Sequence, residues 1–154
     1  MARLPGMDPT VARTLPPLIL GLAADLVGAI DQGVRDRGFG DVRPAHGFAF
    51  VRLAPTGATV GELAEHLGVT KQAASQMVEE LVRKGYVERR PHPGDARARL
   101  VVLTERGWSC TRAADAAAAD AMGAWEAVLG GQRLRQLTAD LAGLAPSGRL
   151  RPAW

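Results

Sequence analysis

Residues 59–104, TVGELAEHLGVTKQAASQMVEELVRKGYVERRPHPGDARARLVVLT, decide the fold of this chain. The stretch opens with a T-x-x-E pattern at Thr59 and Glu62, which is typical of the reciprocal side-chain cap at the start of a helix. Gly68 then supplies the left-handed residue that ends this helix, and Thr70 can cap the next one. We therefore predict helices over 60–67 and 70–84, joined by the tight turn of a helix-turn-helix.

The outer face of the second predicted helix is polar. Positions 72, 75, 76 and 79 follow helical spacing and share one side. Such a stripe is usually only a solvated face, but in this context glutamine and serine can bond base edges and Lys71 can meet a phosphate. Glu79 would repel phosphates, so the contacts should come from the first two turns. We predict DNA contacts by Thr70, Lys71, Gln72, Ser75 and Gln76.

A basic hairpin follows the helix that Gly85 must end. Residues 86–90 and 99–103 have strand composition, and the segment 91–96 between them is rich in turn formers. The predicted arginine contacts are Arg89, Arg90, Arg97 and Arg99. Such a wing can lie along the phosphate backbone and place an arginine in the narrow minor groove.

Helices are also predicted on both sides of this stretch. Residues 1–13 read as a loosely held arm, followed by a long helix from Pro16 to about 35–38 and a shorter one from Pro44 to about Leu53. A very long helix begins after Thr104, and a last helix runs from about 132 to 145 before a tail. Its leucines form one apolar edge that needs a partner, plausibly a second copy; they are Leu134, Leu137, Leu141 and Leu144.

The totals agree with one globular domain. The 154 residues have a net charge of +3 and a pI near 9.7, with two lysines against seventeen arginines, a bias that suits phosphate contacts but equally follows from genome composition. A single cysteine, Cys110, excludes an internal disulfide and favours a cytoplasmic location. The apolar run over 18–24 falls far short of the roughly 20 residues that a membrane span needs, so no membrane partner is expected.

Three motifs resemble the MarR family of transcriptional regulators. They are L-A-x-x-L-G-V-T over 63–70, L-x-x-x-G-Y-V-x-R-R over 81–90, and P-G-D-A-R followed by L-V-V-L-T-x-x-G over 93–107. The resemblance implies a mainly α fold with a small β-hairpin wing, in one domain over 1–154. It implies dimerisation helices over 14–38 and 104–145, a winged helix-turn-helix over 44–103, and a homodimer on a palindromic operator.

The resemblance also implies roles for particular residues. Asp95 would steady the wing by pairing with a nearby arginine, Arg97 would enter the minor groove, and Arg99 would add a phosphate contact. Many relatives bind small aromatic or phenolic acids in a crevice, which here would be lined by His46, Phe50, Arg52 and Trp108. Core packing is the competing explanation for the aromatic residues. No cysteine lies near the start of the first helix, so oxidation sensing is not expected.

Other chemistry finds no support in the sequence. No G-x-S-x-G, H-E-x-x-H or phosphate-binding glycine loop occurs, so an enzyme is not expected. The three histidines lack short ligand spacing, so we expect neither a metal nor a cofactor. The hypothesis is a dimeric repressor that binds double-stranded DNA and is released by a small ligand. The alternative is a winged-helix module for protein contacts.

Overall fold

The computed structural model describes residue 6 and residues 8–144. It is mainly helical with one two-stranded antiparallel sheet, which confirms the predicted fold class. In chain order the elements are α1 (Pro9–Asp36), α2 (Pro44–Leu53), α3 (Val60–Leu67), α4 (Lys71–Arg83), β1 (Val87–His92), β2 (Asp95–Leu103), α5 (Glu105–Leu129) and α6 (Gly131–Leu144). The predicted tail and Ala145 lie outside the described residues, as does most of the N-terminal segment before Asp8.

The capping signals of α3 and α4 act as predicted. The Thr59 hydroxyl accepts the backbone N–H of Glu62 at 3.2 Å, and the Glu62 carboxylate accepts the Thr59 N–H at 2.8 Å. Gly68 ends α3 with φ of 68°, and the Thr70 hydroxyl accepts the N–H of Ala73 at 3.1 Å. Local sequence alone therefore sets both helices and the turn between them.

The core of the winged-helix part lies where these helices meet α2 and the base of the hairpin. The small residues Ala64 and Ala74 are buried at the α3–α4 crossing, which lets the two helices approach closely. Tyr86 is fully buried beside Phe50, with ring centroids 5.8 Å apart. The largest other side chains buried around it are Leu53, Leu63, Leu81, Val78, Val87 and Val101.

Helix α1 is longer than predicted. Asp8 caps it by accepting the N–H of Thr10 at 2.8 Å, and Pro9 occupies the first turn, where a proline needs no amide partner. The helix then continues through Pro16 and Pro17, which the sequence placed at its start. The prediction of a loose arm was therefore wrong for residues 9–13, because the cap at Asp8 was overlooked.

The hairpin also reaches further than predicted. Strand pairing extends to His92 and Asp95, so the turn contains only Pro93 and Gly94 rather than the whole segment 91–96. An irregular register between Pro91 and His92 accommodates the proline, which cannot donate to the ladder. At the other end, Ala58 exchanges two backbone hydrogen bonds with Val101, of 3.0 and 2.8 Å. This bridge fixes the base of the wing to the segment before α3.

The long helices α1 and α5 cross at small residues. A Cβ added to Gly33 would lie 2.5 Å from the Cβ of Ala117, so no larger pair would fit without a shift. Arg37 beside the crossing donates to the Asp120 carboxylate at 2.6 Å. The two helices thus form one rigid unit outside the helix-turn-helix.

Much of the surface of α1 is apolar and uncovered. By length and composition alone, α1 could cross a membrane, since one 18-residue window has a mean hydropathy of 1.4 and none of it is buried. This corrects the expectation that the apolar run is far too short, because the helix extends on both sides of it. The exposed apolar residues of α1 are Val11, Leu15, Leu18, Ile19, Leu20 and Leu22.

Candidate nucleic-acid interface and neighbouring cavity

The predicted reading face of α4 lies on the surface. Ala74, Val78 and Leu81 point into the core, which leaves the polar stripe on the opposite side. Lys71, Gln72 and Gln76 are exposed, and Ser75 is half-buried. The structure therefore brings together the side chains that the spacing had placed on one face, with Thr70 at the N-terminal end.

The four arginines of the wing divide between its two faces. Arg89 pairs with Val101 across the ladder, so both point to the same side, and alternation along β2 places Arg97 and Arg99 on that side too. Arg90 lies on the other face, where it forms an ion pair with Glu88. Three of the four predicted arginines are thus presented together, while the fourth has its charge largely compensated.

The wing turn is held by side chains acting on the backbone. The Asp95 carboxylate accepts the N–H of Arg97 at 2.9 Å, and the His92 Nδ1 accepts the N–H of Gly94 at 3.0 Å. Asp95 thus steadies the turn, as the family resemblance implies, but it does so through a backbone amide rather than through an arginine side chain. The guanidinium of Arg97 remains exposed at the tip.

A polar network behind α4 was not predicted. Glu80, on the inner side of α4, accepts from Lys84 at 2.8 Å and from Arg43 at 2.6 Å. Lys84 also donates to the backbone oxygen of Asp41 at 2.6 Å. Hydrogen bonding from Lys84, its largest cause, and nearby positive charge hold the pKa of Glu80 below its ordinary value. These contacts join the α1–α2 loop to the recognition helix.

His46 is buried beneath this network. Its Nδ1 accepts the backbone N–H of Arg43 at 3.1 Å, which places the ring proton on Nε2, 3.6 Å from Glu80. Burial lowers the pKa of His46, while the carboxylate of Glu80 opposes that shift. His46 therefore has a structural role at the start of α2, because its acceptor nitrogen caps the helix.

A second polar cluster joins the same loop to α5. The buried Tyr86 donates its hydroxyl to Asp41 at 2.6 Å, and Arg106 donates to that hydroxyl at 3.1 Å. The bond from Tyr86 holds the pKa of Asp41 below its ordinary value, and burial raises the pKa of Tyr86 to about 12. Gly107, packed against the Tyr86 carbonyl, leaves no room for a side chain where α5 begins.

An apolar cavity of about 330 Å³ lies between the long helices and α2. This volume is at the lower end of the range found for small-molecule sites, about 300–1,000 Å³. Its walls are mostly hydrocarbon, and the polar groups on it are Asp31, Arg43 and Asp115. The apolar side chains on its wall include Leu26, Val27, Ile30, Phe48, Phe50 and Val51.

The four residues predicted to line a ligand crevice do not share one cavity. Phe50 lines the apolar cavity, whereas Trp108 lines a separate, more open hollow of about 500 Å³ at the base of the wing. His46 is enclosed by its hydrogen bonds, and Arg52 donates to the Gly57 carbonyl at 2.9 Å. Arg43, which sequence analysis did not select, lines the cavity instead, because only tertiary packing carries it there.

Cys110 also lines this cavity. It is buried, and burial raises the pKa of its thiol to about 11. A thiol that holds its proton so strongly is a poor nucleophile at neutral pH. This environment is that of a packed apolar residue.

Sequence comparison supports the resemblance noted above. Residues 48–98, about a third of the chain, match the profile of the MarR family. The match spans α2, the helix-turn-helix and most of the wing. No curated protein matches the chain.

Solved structures extend the likeness to nearly the whole chain. Wild-type apo MarR from E. coli is 25% identical, with a TM-score of 0.69, over 86% of this chain and 96% of that one. CouR from Rhodococcus jostii bound to p-coumaroyl-CoA has a TM-score of 0.70 at 20% identity, covering 93% and 99%. A MepR variant from S. aureus bound to an oligodeoxyribonucleotide has a TM-score of 0.61 at 20% identity, covering 85% and 95%. These matches confirm the resemblance to the MarR family and its fold.

Proposed function

We propose that this chain, which has the winged-helix fold of MarR-family regulators, is a sequence-specific DNA-binding repressor that acts as a homodimer. The observation that carries the proposal is the pairing of an exposed polar stripe on α4 with an arginine-bearing hairpin beside it. The MepR complex supports it by showing this fold on DNA. Its site of action would be cytoplasmic.

The stripe on α4 has the chemistry needed to read bases. The amides of Gln72 and Gln76 can donate to and accept from a base edge at once, as adenine presents in the major groove. Lys71, at the start of the helix, has only donors and suits a phosphate. Base discrimination is thus assigned to the glutamines and non-specific affinity to the lysine.

The wing supplies grip. Arg97 at its tip is exposed and sits on the same face as Arg89 and Arg99. We assign Arg97 to the minor groove, where a narrow groove concentrates negative potential. The other two arginines would contact the backbone, while Arg90 remains engaged by Glu88.

A second copy would cover the exposed apolar faces of the terminal helices. Leu20 is 63% exposed on α1 and Leu144 is 80% exposed on α6. Because two identical recognition helices enter successive major grooves, the half-sites should lie roughly 34 Å apart. Equilibrium sedimentation without detergent tests this assembly: a monomer at micromolar concentration, or association only with lipid vesicles, would contradict it.

The function is tested by selecting bound DNA from a random pool and titrating the best duplex. We expect Arg97→Ala to weaken binding of this duplex strongly, while circular dichroism shows an unchanged fold. Arg112→Ala is the matched control, since Arg112 lies on α5 and pairs with Glu105. Equal affinity of Arg97→Ala and wild type at fixed salt would refute the role of the wing.

The two roles on α4 make opposite predictions. Gln76→Ala should change which duplex sequences bind best, because it removes a contact to a base. Lys71→Ala should weaken all duplexes alike and flatten the slope of log affinity against log salt by about one. If both variants scaled every affinity by a common factor, the assignment of reading to Gln76 would fail.

The second candidate function is a winged-helix module that binds an acidic protein through the same arginines. A preference for one palindrome over random duplex, with log affinity falling linearly with log salt, separates DNA binding from this alternative. Failure to bind any duplex tightly would favour the protein partner.

We also propose that a small aromatic ligand regulates DNA binding. The cavity of about 330 Å³ supports this role, since it lies between the long helices and the winged-helix part. CouR shows that this fold accepts an aromatic acyl compound. Ligand binding there would change how the two recognition helices are spaced.

A further inference from the structure

Arg43 lies between the apolar cavity and the recognition helix. It lines the cavity wall, and its Nη2 is 2.6 Å from the Oε2 of Glu80 on α4. No other pair of described residues joins the cavity lining to α4 by an ion pair. Any group in the cavity that binds this guanidinium must therefore compete with Glu80.

The backbone of Arg43 is fixed while its side chain is free to turn. Its N–H is held by His46 at 3.1 Å, and the extended conformation at φ −102° and ψ 159° suits a residue before proline. The side chain is 59% exposed. The guanidinium can thus change partners without a change in the main chain.

The charges around the cavity select the kind of ligand. Asp31 is already engaged by Arg35 at 2.8 Å, so its charge is largely compensated. Arg43 is the one cationic side chain among the described residues of the lining, and Asp115 disfavours an anion on the α5 side. A ligand should therefore have an apolar body and one carboxylate, which Arg43 can bind through two parallel N–H donors.

Glu80 would not be left alone if Arg43 turned away. It would keep the ammonium group of Lys84 at 2.8 Å and the nearby Nε2 of His46. The exchange therefore replaces one exposed ion pair by another. Of the hydrogen bonds that join the α1–α2 loop to α4, the one from Lys84 to the Asp41 carbonyl would remain.

We propose that Arg43 is a shared residue, released from Glu80 when an apolar carboxylate occupies the cavity, so that α4 becomes less firmly held to the α1–α2 loop. This mechanism rests on the proposed function and specifies how its regulation acts. Val78 and Leu81 stay in the core, so α4 shifts rather than unfolds.

Binding to the cavity is tested by calorimetry with 2-naphthoate and its uncharged analogue 2-naphthamide. Arg43→Gln should lower naphthoate affinity at least about tenfold, as expected for loss of a charge-assisted hydrogen bond, and leave naphthamide affinity unchanged. Arg112→Gln, a matched loss of charge away from the cavity, should bind both as wild type does. No binding of naphthoate, or equal binding by Arg43→Gln, overturns the proposal.

The competition is tested with Glu80→Gln, which retains Arg43 but weakens its hold. This variant should bind naphthoate about two- to fivefold more tightly, the factor that corresponds to an exposed ion pair. Unchanged naphthoate affinity would show that Glu80 does not compete.

Saturating naphthoate should weaken binding of the selected duplex to wild type by a similar factor, and duplex should weaken naphthoate equally. The effect on duplex binding should vanish in Glu80→Gln. If wild type binds duplex with no effect of naphthoate, the inference fails and the proposed function stands. If no duplex binds, the proposed function fails, while the naphthoate titrations still decide whether Arg43 and Glu80 compete.

Discussion

Replacing Gly33 by alanine should destabilise the protein through its contact with α5. The new Cβ would lie 2.5 Å from the Ala117 Cβ and 3.3 Å from the Ala117 Cα, both on a neighbouring helix and not on a flexible side-chain end. Overpacking of this kind costs about 1–3 kcal/mol. The better helix propensity of alanine returns at most about 1 kcal/mol. We expect a net loss of about 2 kcal/mol in the free energy of unfolding.

The matched control and the rescue use the same chemistry elsewhere. Gly61→Ala in α3 adds a Cβ whose nearest neighbour is 3.9 Å away, so this substitution should leave stability equal or slightly higher. Ala117→Gly should itself cost about 1 kcal/mol of helix propensity. Combined with Gly33→Ala it should restore the clearance, so the two changes should couple by about 2 kcal/mol.

The assay is urea unfolding followed by circular dichroism at one fixed protomer concentration, because association makes apparent stability concentration-dependent. A Gly33→Ala variant as stable as wild type would contradict the close crossing of α1 and α5. Strictly additive effects in the double variant would contradict the specific contact between positions 33 and 117.

Three further predictions concern single groups. The lowered pKa of Asp41 contributes stability that is present above its unfolded pKa and lost as pH falls through its folded value; Tyr86→Phe should therefore flatten the loss of unfolding free energy between about pH 5 and pH 3, and an unchanged slope would exclude the hydrogen bond as the cause. Cys110, with a pKa of about 11, should react with iodoacetamide in the folded protein at least about tenfold more slowly than in urea at pH 8; equal rates would show an open thiol. Thr70→Ala removes the cap of α4 and should cost about 1 kcal/mol in urea unfolding, whereas no loss would mean that the N–H of Ala73 finds another partner.

Where sequence prediction worked, the signals were local. The helix-turn-helix depends on a cap at Thr59, a left-handed glycine at 68 and a cap at Thr70, all satisfied by neighbours within four residues. The polar stripe on α4 follows from helical spacing alone. These residues were therefore predictable, and the comparisons confirm the family to which they pointed.

The errors have equally specific causes. The start of α1 was misplaced because the consecutive prolines at 16 and 17 suggested a first turn, while the cap at Asp8 carried the true signal. The hairpin was shortened because Pro91 and Pro93 suggested a loop, although pairing continues past an irregular register. In both cases a residue type was weighed without its hydrogen-bond partner.

The sequence by itself determined the helix-turn-helix, the wing and the residues presented on them, because capping and periodicity act over a few positions. Tertiary structure alone decided which distant groups meet. Arg43 and Glu80 are 37 positions apart, and Asp41 and Tyr86 are 45 apart. Nothing in their local spacing indicates a contact, since long-range pairing depends on how α1 and α5 place the intervening loop. The fold therefore places one arginine between an apolar cavity and the recognition helix.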